Sequence, residues 1–261
     1  SRLLRPRLKS IYLLVRGLGY RCVDTFFRGT RPVAVIGCGR SGTNMVLEIL
    51  SGHKAFRPTT PDPEDKRFFV RGRRFPQGFL TKCDTHYGSI DELRDLLALN
   101  SKMKIVWTIR DPRDICLSKL RRGVTIEEGG DCDTPADDST DDGCVDSIYK
   151  MFEMYRFIVS KFPERIYLIK MEDVLSKLEE EVCSLASFLK IDFEPAMLDF
   201  PNRMRNTKKK ERYGERIDQS QLQLWKDAET VYGGFFVGQG ARLKRLFERV
   251  DLITRYFNYT D

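Results

Sequence analysis

Three glycines, one arginine and two hydroxyl side chains fall within residues 37–43, Gly37-Cys38-Gly39-Arg40-Ser41-Gly42-Thr43. Glycine tolerates positive φ and lets a ligand come close to the backbone. Arg40 and the hydroxyls of Ser41 and Thr43 are donors for an anion. Val33 to Ile36, just before, form an apolar run suited to a buried parallel strand. Met45, Val46, Ile49 and Leu50, just after, give a helix one apolar face. A strand, a tight turn and a helix N-terminus aim N–H groups and the positive end of the helix dipole at one point. The chemistry this spacing suits is phosphate binding.

Two known phosphate loops share part of the pattern. Gly37, Gly39 and Gly42 fit the G-x-G-x-x-G of dinucleotide-binding folds. That fold also needs an acidic residue about 20 residues on, at the end of a second strand. The chain near residue 57 instead reads F-R-P-T-T-P-D-P-E-D, which is loop. A Walker A loop needs a lysine directly after its last glycine. Here Thr43 follows Gly42, and the cation comes earlier, at Arg40.

The same logic recurs at a second strand end. Lys104 to Arg110, K-I-V-W-T-I-R, reads as a strand, and Asp111-Pro112 starts a helix by capping it and occupying its first turn. Arg110 leaves the strand and Ser118 lies eight residues on. An arginine with a hydroxyl can hold a second phosphate, separate from the one at Arg40. An ion pair of Arg110 with Asp111 is the alternative use of that arginine.

V-I-G-C-G-R-S-G-T-N resembles the 5′-phosphosulfate loop of sulfotransferases that use 3′-phosphoadenosine 5′-phosphosulfate (PAPS). I-R-D-P-R-D-I-C-L-S resembles their 3′-phosphate motif, with Arg110 and Ser118 at the matching positions. The resemblance covers roughly residues 32–190. Many cytosolic members carry lysine-serine-glycine-threonine in the first loop, whereas Arg40-Ser41-Gly42-Thr43 is similar to tyrosylprotein and several bacterial members. Gly39 stands where many members have proline. The resemblance implies that Arg40, Ser41, Gly42, Thr43 and Asn44 hold the 5′ phosphosulfate and that Arg110 and Ser118 hold the 3′ phosphate. The family's late basic segment covers the nucleotide, which makes Lys208, Lys209, Lys210, Arg212 and Arg216 candidates, Lys209 and Arg216 foremost. PAPS is then the sulfuryl donor, 3′-phosphoadenosine 5′-phosphate (PAP) the product, and no metal is required.

In-line transfer of a sulfuryl group needs positive charge where oxygens gain charge, and Arg40 can supply it. Lys82 is a second cation for the transfer site. A hydroxyl acceptor also needs a base. Glu48 is one candidate: Gly42-Thr43 followed by Glu48 resembles the G-T-x-x-x-x-E of glucosaminyl 3-O-sulfotransferases. His86 is the rival, because K-C-D-T-H resembles the K-T-H of cytosolic members with two extra residues, and histidine has the better unperturbed pKa. Asp84 either orients His86 or acts itself. The choice among the three stays open.

These residues need a frame. Strands are expected at 33–36, 78–82, 104–110 and 166–169, with F-F-V at 68–70 as a further short piece. Helices are expected after Gly42, at 90–100, from Asp111 to about 122, at 145–162 and 174–189, and near 218–230 and 239–257. Alternating strands and helices predict an α/β fold: a P-loop-type parallel sheet flanked by helices on both faces, a three-layer sandwich with phosphate ligands at the carboxyl ends of the strands. Residues 1–31 are expected to form a basic N-terminal segment, and residues 32–261 a single sulfotransferase-like domain with an acidic loop at 123–143.

Charge is unevenly spread. Residues 127–146 carry nine carboxylates and no lysine or arginine, so the rest of the chain carries +16 against a net +7. A basic body suits an anionic ligand. The acidic loop would repel sulfated polysaccharide, so a small-molecule acceptor and a glycan both stay open, as does protein tyrosine. Residues 1–31 hold eight arginines and lysines against one carboxylate. They are expected to dock on the body, with peripheral contact to an anionic membrane as the sharper alternative. No run of 18 apolar residues occurs. The seven cysteines point to a reducing compartment, hence the cytoplasm, with a lumenal location left open and a Cys132–Cys144 pair as an alternative. Asn258-Tyr259-Thr260 is a glycosylation sequon. The rival functions are a P-loop nucleotide kinase, which lacks its lysine here, and a basic nucleic-acid or membrane-binding module, which leaves two anion sites unexplained. No nucleic-acid partner is expected.

Overall fold

A computed structural model describes residues 31–58, 78–84, 88–127, 140–200 and 222–259. Its centre is a parallel sheet. The strands are β1 (Val33–Gly37), β2 (Arg57–Pro58), β3 (Phe79–Asp84), β4 (Lys104–Ile109) and β5 (Ile166–Lys170), in the spatial order β2-β3-β1-β4-β5. The helices are α1 (Thr43–Ser51), α2 (Ile90–Leu99), α3 (Pro112–Glu127), α4 (Asp141–Lys161), α5 (Met171–Ser176), α6 (Leu178–Leu189) and α7 (Gly240–Tyr256).

The period of two along the strands sorts their side chains to opposite faces. Ala34 and Ile36 of β1 pack with Ile105, Trp107 and Ile109 of β4 against α2, α3, α4 and α7. Val33 and Val35 pack with Val106, Leu80 and Ile169 against α1, α5 and α6. Both faces are therefore covered, which is why β1 and β4 are buried along their whole length. The expected three-layer α/β sandwich is the fold observed. Trp107 is fully buried and its Nε1 donates to Met151 Sδ at 3.4 Å, tying β4 to α4.

Local signals start the helices as the residue types dictate. Ser89 caps α2, accepting from Glu92 N–H, while the Glu92 carboxylate returns to the Ser89 backbone. Thr140 caps α4 through the Gly143 N–H at 3.0 Å. α3 continues through Glu127 and α4 begins at Asp141, both inside the span expected for the acidic loop. Asp141 and Asp142 pair with Arg242 and Arg249 of α7, at 2.6 and 2.8 Å, so these two carboxylates serve the fold.

A helix was expected over 218–230. The described part holds a left-handed Gln223 and a short 3-10 turn, Leu224–Asp227, then a kinked turn at Val231–Gly234. Cys144 is free and buried, and the Cys132 half of the expected pair lies outside the described residues. A hydrogen bond with Cys144, together with burial, pushes the Cys116 thiol well above its ordinary range. The basic segment 1–30, the strand expected at 68–70 and most of the acidic loop also lie outside the described residues. No helix among the described residues is long and apolar enough to cross a membrane.

Candidate functional site

Register brings the site together. Gly37, the last residue of β1, lies level with Asp84 on β3 and Thr108 on β4. Three parallel strands thus end side by side, and the loops that leave them converge.

The loop from Gly37 to Gly42 is wound around one carbonyl. Cys38 O accepts the Ser41 N–H at 3.1 Å and the Ser41 hydroxyl at 2.7 Å. Ser41 Oγ also lies 2.8 Å from Thr108 Oγ1, so the loop is stitched to β4. Gly37 has to be glycine, because a Cβ there would stand 2.2 Å from Thr108 Oγ1. Gly42 is left-handed at φ 92° and precedes α1. Among the described residues no side chain caps α1, and its first turn holds no acidic residue, which leaves the positive helix end to an anion. Arg40 is itself left-handed at φ 77°, a conformation uncommon outside glycine.

The two sequence motifs meet. Arg40 Nε donates to Ser118 Oγ at 2.8 Å, linking the first loop to the second turn of α3. The two candidate anion sites are therefore contiguous. Lys82 of β3 is buried and donates from Nζ to Asn44 Oδ1 at 3.1 Å, so a second cation sits beside the first turn of α1.

Arg110 is buried. It reaches along α3 to Asp114, Nη2 to Oδ2 at 3.3 Å. Asp111 caps α3, accepting the Arg113 N–H at 2.9 Å, and pairs with the Arg113 guanidinium at 2.8 Å. Burial pushes the Asp114 carboxyl up against the pull of Arg110. Asp114 also accepts the Trp225 N–H at 2.9 Å, and Arg113 lies over the Trp225 ring, 3.4 Å from its centroid. The late part of the chain is thereby fastened to the second motif.

The sequence expectations fall into three groups. Arg40, Ser41, Gly42, Thr43, Asn44, Arg110 and Ser118 all lie at the carboxyl ends of β1 and β4 or in the turns that follow. Ser41 is fully buried and its hydroxyl serves the loop itself. Glu48 is half-buried on α1, among the core residues Leu47 and Ile49. His86, Lys209 and Arg216 lie outside the described residues. Asp114, Thr108 and Glu172 were not singled out. The one signal for Glu172 was its place directly after a strand, where ligand residues collect.

Residues 62–195 match the model of the sulfotransferase family. Among solved structures the chain is similar to a sulfotransferase domain from the curacin biosynthetic pathway, at 17% identity and a TM-score of 0.58, over 86% of this chain and 98% of that one. It is similar to the sulfotransferase domain of the Synechococcus PCC 7002 olefin synthase, at 12% identity and a TM-score of 0.54, over 86% and 96% of the two chains. The mouse sulfotransferase SULT7A1, solved in complex with PAP, matches at 14% identity and a TM-score of 0.54, over 92% of each chain. At these identities the likeness is one of fold. No curated protein matches the sequence.

Proposed function

Since the chain belongs to the sulfotransferase family, we propose that it moves a sulfuryl group from PAPS to a hydroxyl, or as second choice an amine, of a small-molecule or glycan acceptor. The observation that carries this reading is the 2.8 Å contact between Arg40 and Ser118. It supports a single ligand spanning both strand ends, as a nucleotide with phosphates at 5′ and 3′ would.

In this reading Arg40, Thr43, Asn44 and the backbone around Gly42 take the 5′ phosphosulfate, and Ser41 holds the loop in shape. Arg110 and Ser118 take the 3′ phosphate. The bond from sulfur to the bridging phosphate oxygen breaks as the acceptor oxygen bonds to sulfur, and PAP leaves. Arg40 and the N-terminus of α1 stabilise the charge that grows on the leaving oxygen, with Lys82 close to the first turn. Glu48 or His86 takes the acceptor proton. Positive charge comes from the protein, so the reaction runs without a divalent metal. Residues 32–261 act as one domain, with Lys209 and Arg216 in the segment over the nucleotide.

Calorimetry tests the donor. PAP should bind more tightly than adenosine 5′-monophosphate, and chelator should not change this. Equal affinity for the two nucleotides would remove the 3′ site. A PAPS-dependent screen of hydroxylated metabolites and glycans then identifies the acceptor.

A further inference from the structure

We propose that Glu172 is a positioning residue for the 3′-phosphate end of the site, and that Tyr259 holds it in place. The inference rests on the nucleotide reading above. Glu172 is the second residue of α5, which follows β5 directly, and β5 is the hydrogen-bonded neighbour of β4. Its Oε1 accepts the Asp111 N–H at 2.9 Å. That amide follows Arg110, so the peptide plane it belongs to sets the direction in which Arg110 leaves β4. Glu172 Oε2 accepts the Tyr259 hydroxyl at 2.9 Å, which leaves the carboxylate gripped at both oxygens.

Tyr259 is fixed in turn. Its carbonyl accepts from Arg113 Nη2 at 3.5 Å, and Lys170 Nζ lies 4.7 Å from its ring centroid while donating to the Phe257 carbonyl at 2.6 Å. Arg113 and Lys170 come from α3 and β5, the elements on either side of Glu172. The segment after α7 is therefore a wedge between two strand ends, and its hydroxyl points at the carboxylate that orients Arg110. Both groups are half-buried, so water replaces either hydrogen bond only in part. Without Glu172 the Asp111 amide loses its acceptor and the peptide is free to turn, taking Arg110 out of line with Ser118.

The test uses the full chain and two nucleotides, PAP and adenosine 5′-monophosphate. The wild type should prefer PAP. Glu172→Ala should lower PAP affinity about tenfold, the worth of one hydrogen bond to a charged group, and leave the monophosphate unchanged. Glu172→Gln should recover most of the loss, because its amide oxygen still accepts the Asp111 N–H. Hydrogen exchange at the Asp111 amide should quicken in Glu172→Ala and stay slow in Glu172→Gln. A preference for PAP that survives Glu172→Ala overturns the role, as does an equal loss for both nucleotides. A wild type with no preference overturns the sulfuryl-donor reading itself, and the exchange rates still report whether Glu172 holds the amide. Should Glu172→Ala fail to fold, Tyr259→Phe carries the test: a two- to threefold fall in the PAP preference, roughly, is expected for a loosened carboxylate, and an unchanged preference overturns the brace.

Discussion

Arg40 Nε and Ser118 Oγ lie 2.8 Å apart, although 78 residues separate them in the chain. The contact joins two motifs that were read separately, and it predicts unequal effects of removing its two ends. Arg40→Ala removes the charge proposed to meet the leaving oxygen and should slow transfer by about 10²–10³. Ser118→Ala removes one neutral donor and should weaken PAP severalfold while sparing adenosine 5′-monophosphate. Single-turnover rates and calorimetry separate the two. Normal turnover in Arg40→Ala would dismiss its assignment.

Gly37 and Gly42 of the loop predict different failures. A Cβ at Gly37 would lie 2.2 Å from Thr108 Oγ1, 2.6 Å from Ser41 Oγ and 2.7 Å from the Thr108 carbonyl. Part of that wall is backbone and cannot swing away, so Gly37→Ala should cost about 3 kcal/mol and lose nucleotide binding with it. At Gly42 the nearest atom would be Met45 Cε at 3.4 Å, but φ is +92°. Gly42→Ala therefore meets strain without overlap and should cost about 1–2 kcal/mol. Thermal unfolding of the two variants gives the order, and Gly42→Ala proving the worse would refute the packing argument.

What could be read from the chain was local. The loop at Gly37–Thr43, the strand and turn at Arg110-Asp111-Pro112, and the alternation of strands with helices all rest on neighbours in sequence. Partners were harder. Arg110 was read as a phosphate ligand with an Asp111 ion pair as the alternative, and neither reading foresaw Asp114, one helical turn on, or the pairing of Asp111 with Arg113. A helix was also expected near 218–230. Tertiary contacts decide otherwise there, because Asp114 takes the Trp225 N–H and Arg113 stacks on its ring. Glu172 and Tyr259 are 87 residues apart, and nothing in either neighbourhood announces their hydrogen bond. The end of α3 was missed for the opposite reason: Gly123, Val124 and Thr125 are poor helix formers, yet the helix continues past them.

Glu172 also predicts a pH dependence with a definite sign. Burial raises its carboxyl above the ordinary 4.5, outweighing the hydrogen bonds from Asp111 and Tyr259 that favour the charged form. The folded protein thus holds this proton more tightly than the unfolded chain. The stability it contributes is complete below 4.5 and is lost as pH rises through the raised value. Glu172→Gln carries no such proton. Its melting temperature relative to the wild type should therefore climb between pH 4.5 and neutrality, a comparison in which the other carboxylates cancel. A flat or falling difference would mean that Glu172 is ionised throughout.

The base remains to be chosen by experiment, and the two candidates predict opposite kinetics. Glu48 sits on α1, five residues after Thr43, half-buried between Leu47 and Ile49. A carboxylate in that setting keeps its charge only with a polar partner or an open cleft beside it. If it takes the acceptor proton, Glu48→Gln should lower kcat by about 10²–10⁴, the usual span for a lost general base, with little change in PAP affinity. His86→Asn should then stay near wild type, and the acid limb of the pH–rate profile should follow a carboxylate. If His86 is the base, His86→Asn shows the large fall, and the wild-type profile turns near the histidine range, about 6.5. Loss of rate in both variants with PAP binding intact would mean that the two residues act on the same proton in relay, and unimpaired turnover in both would exclude Glu48 and His86 and leave Asp84, at the end of β3 and level with Gly37, as the group to replace next.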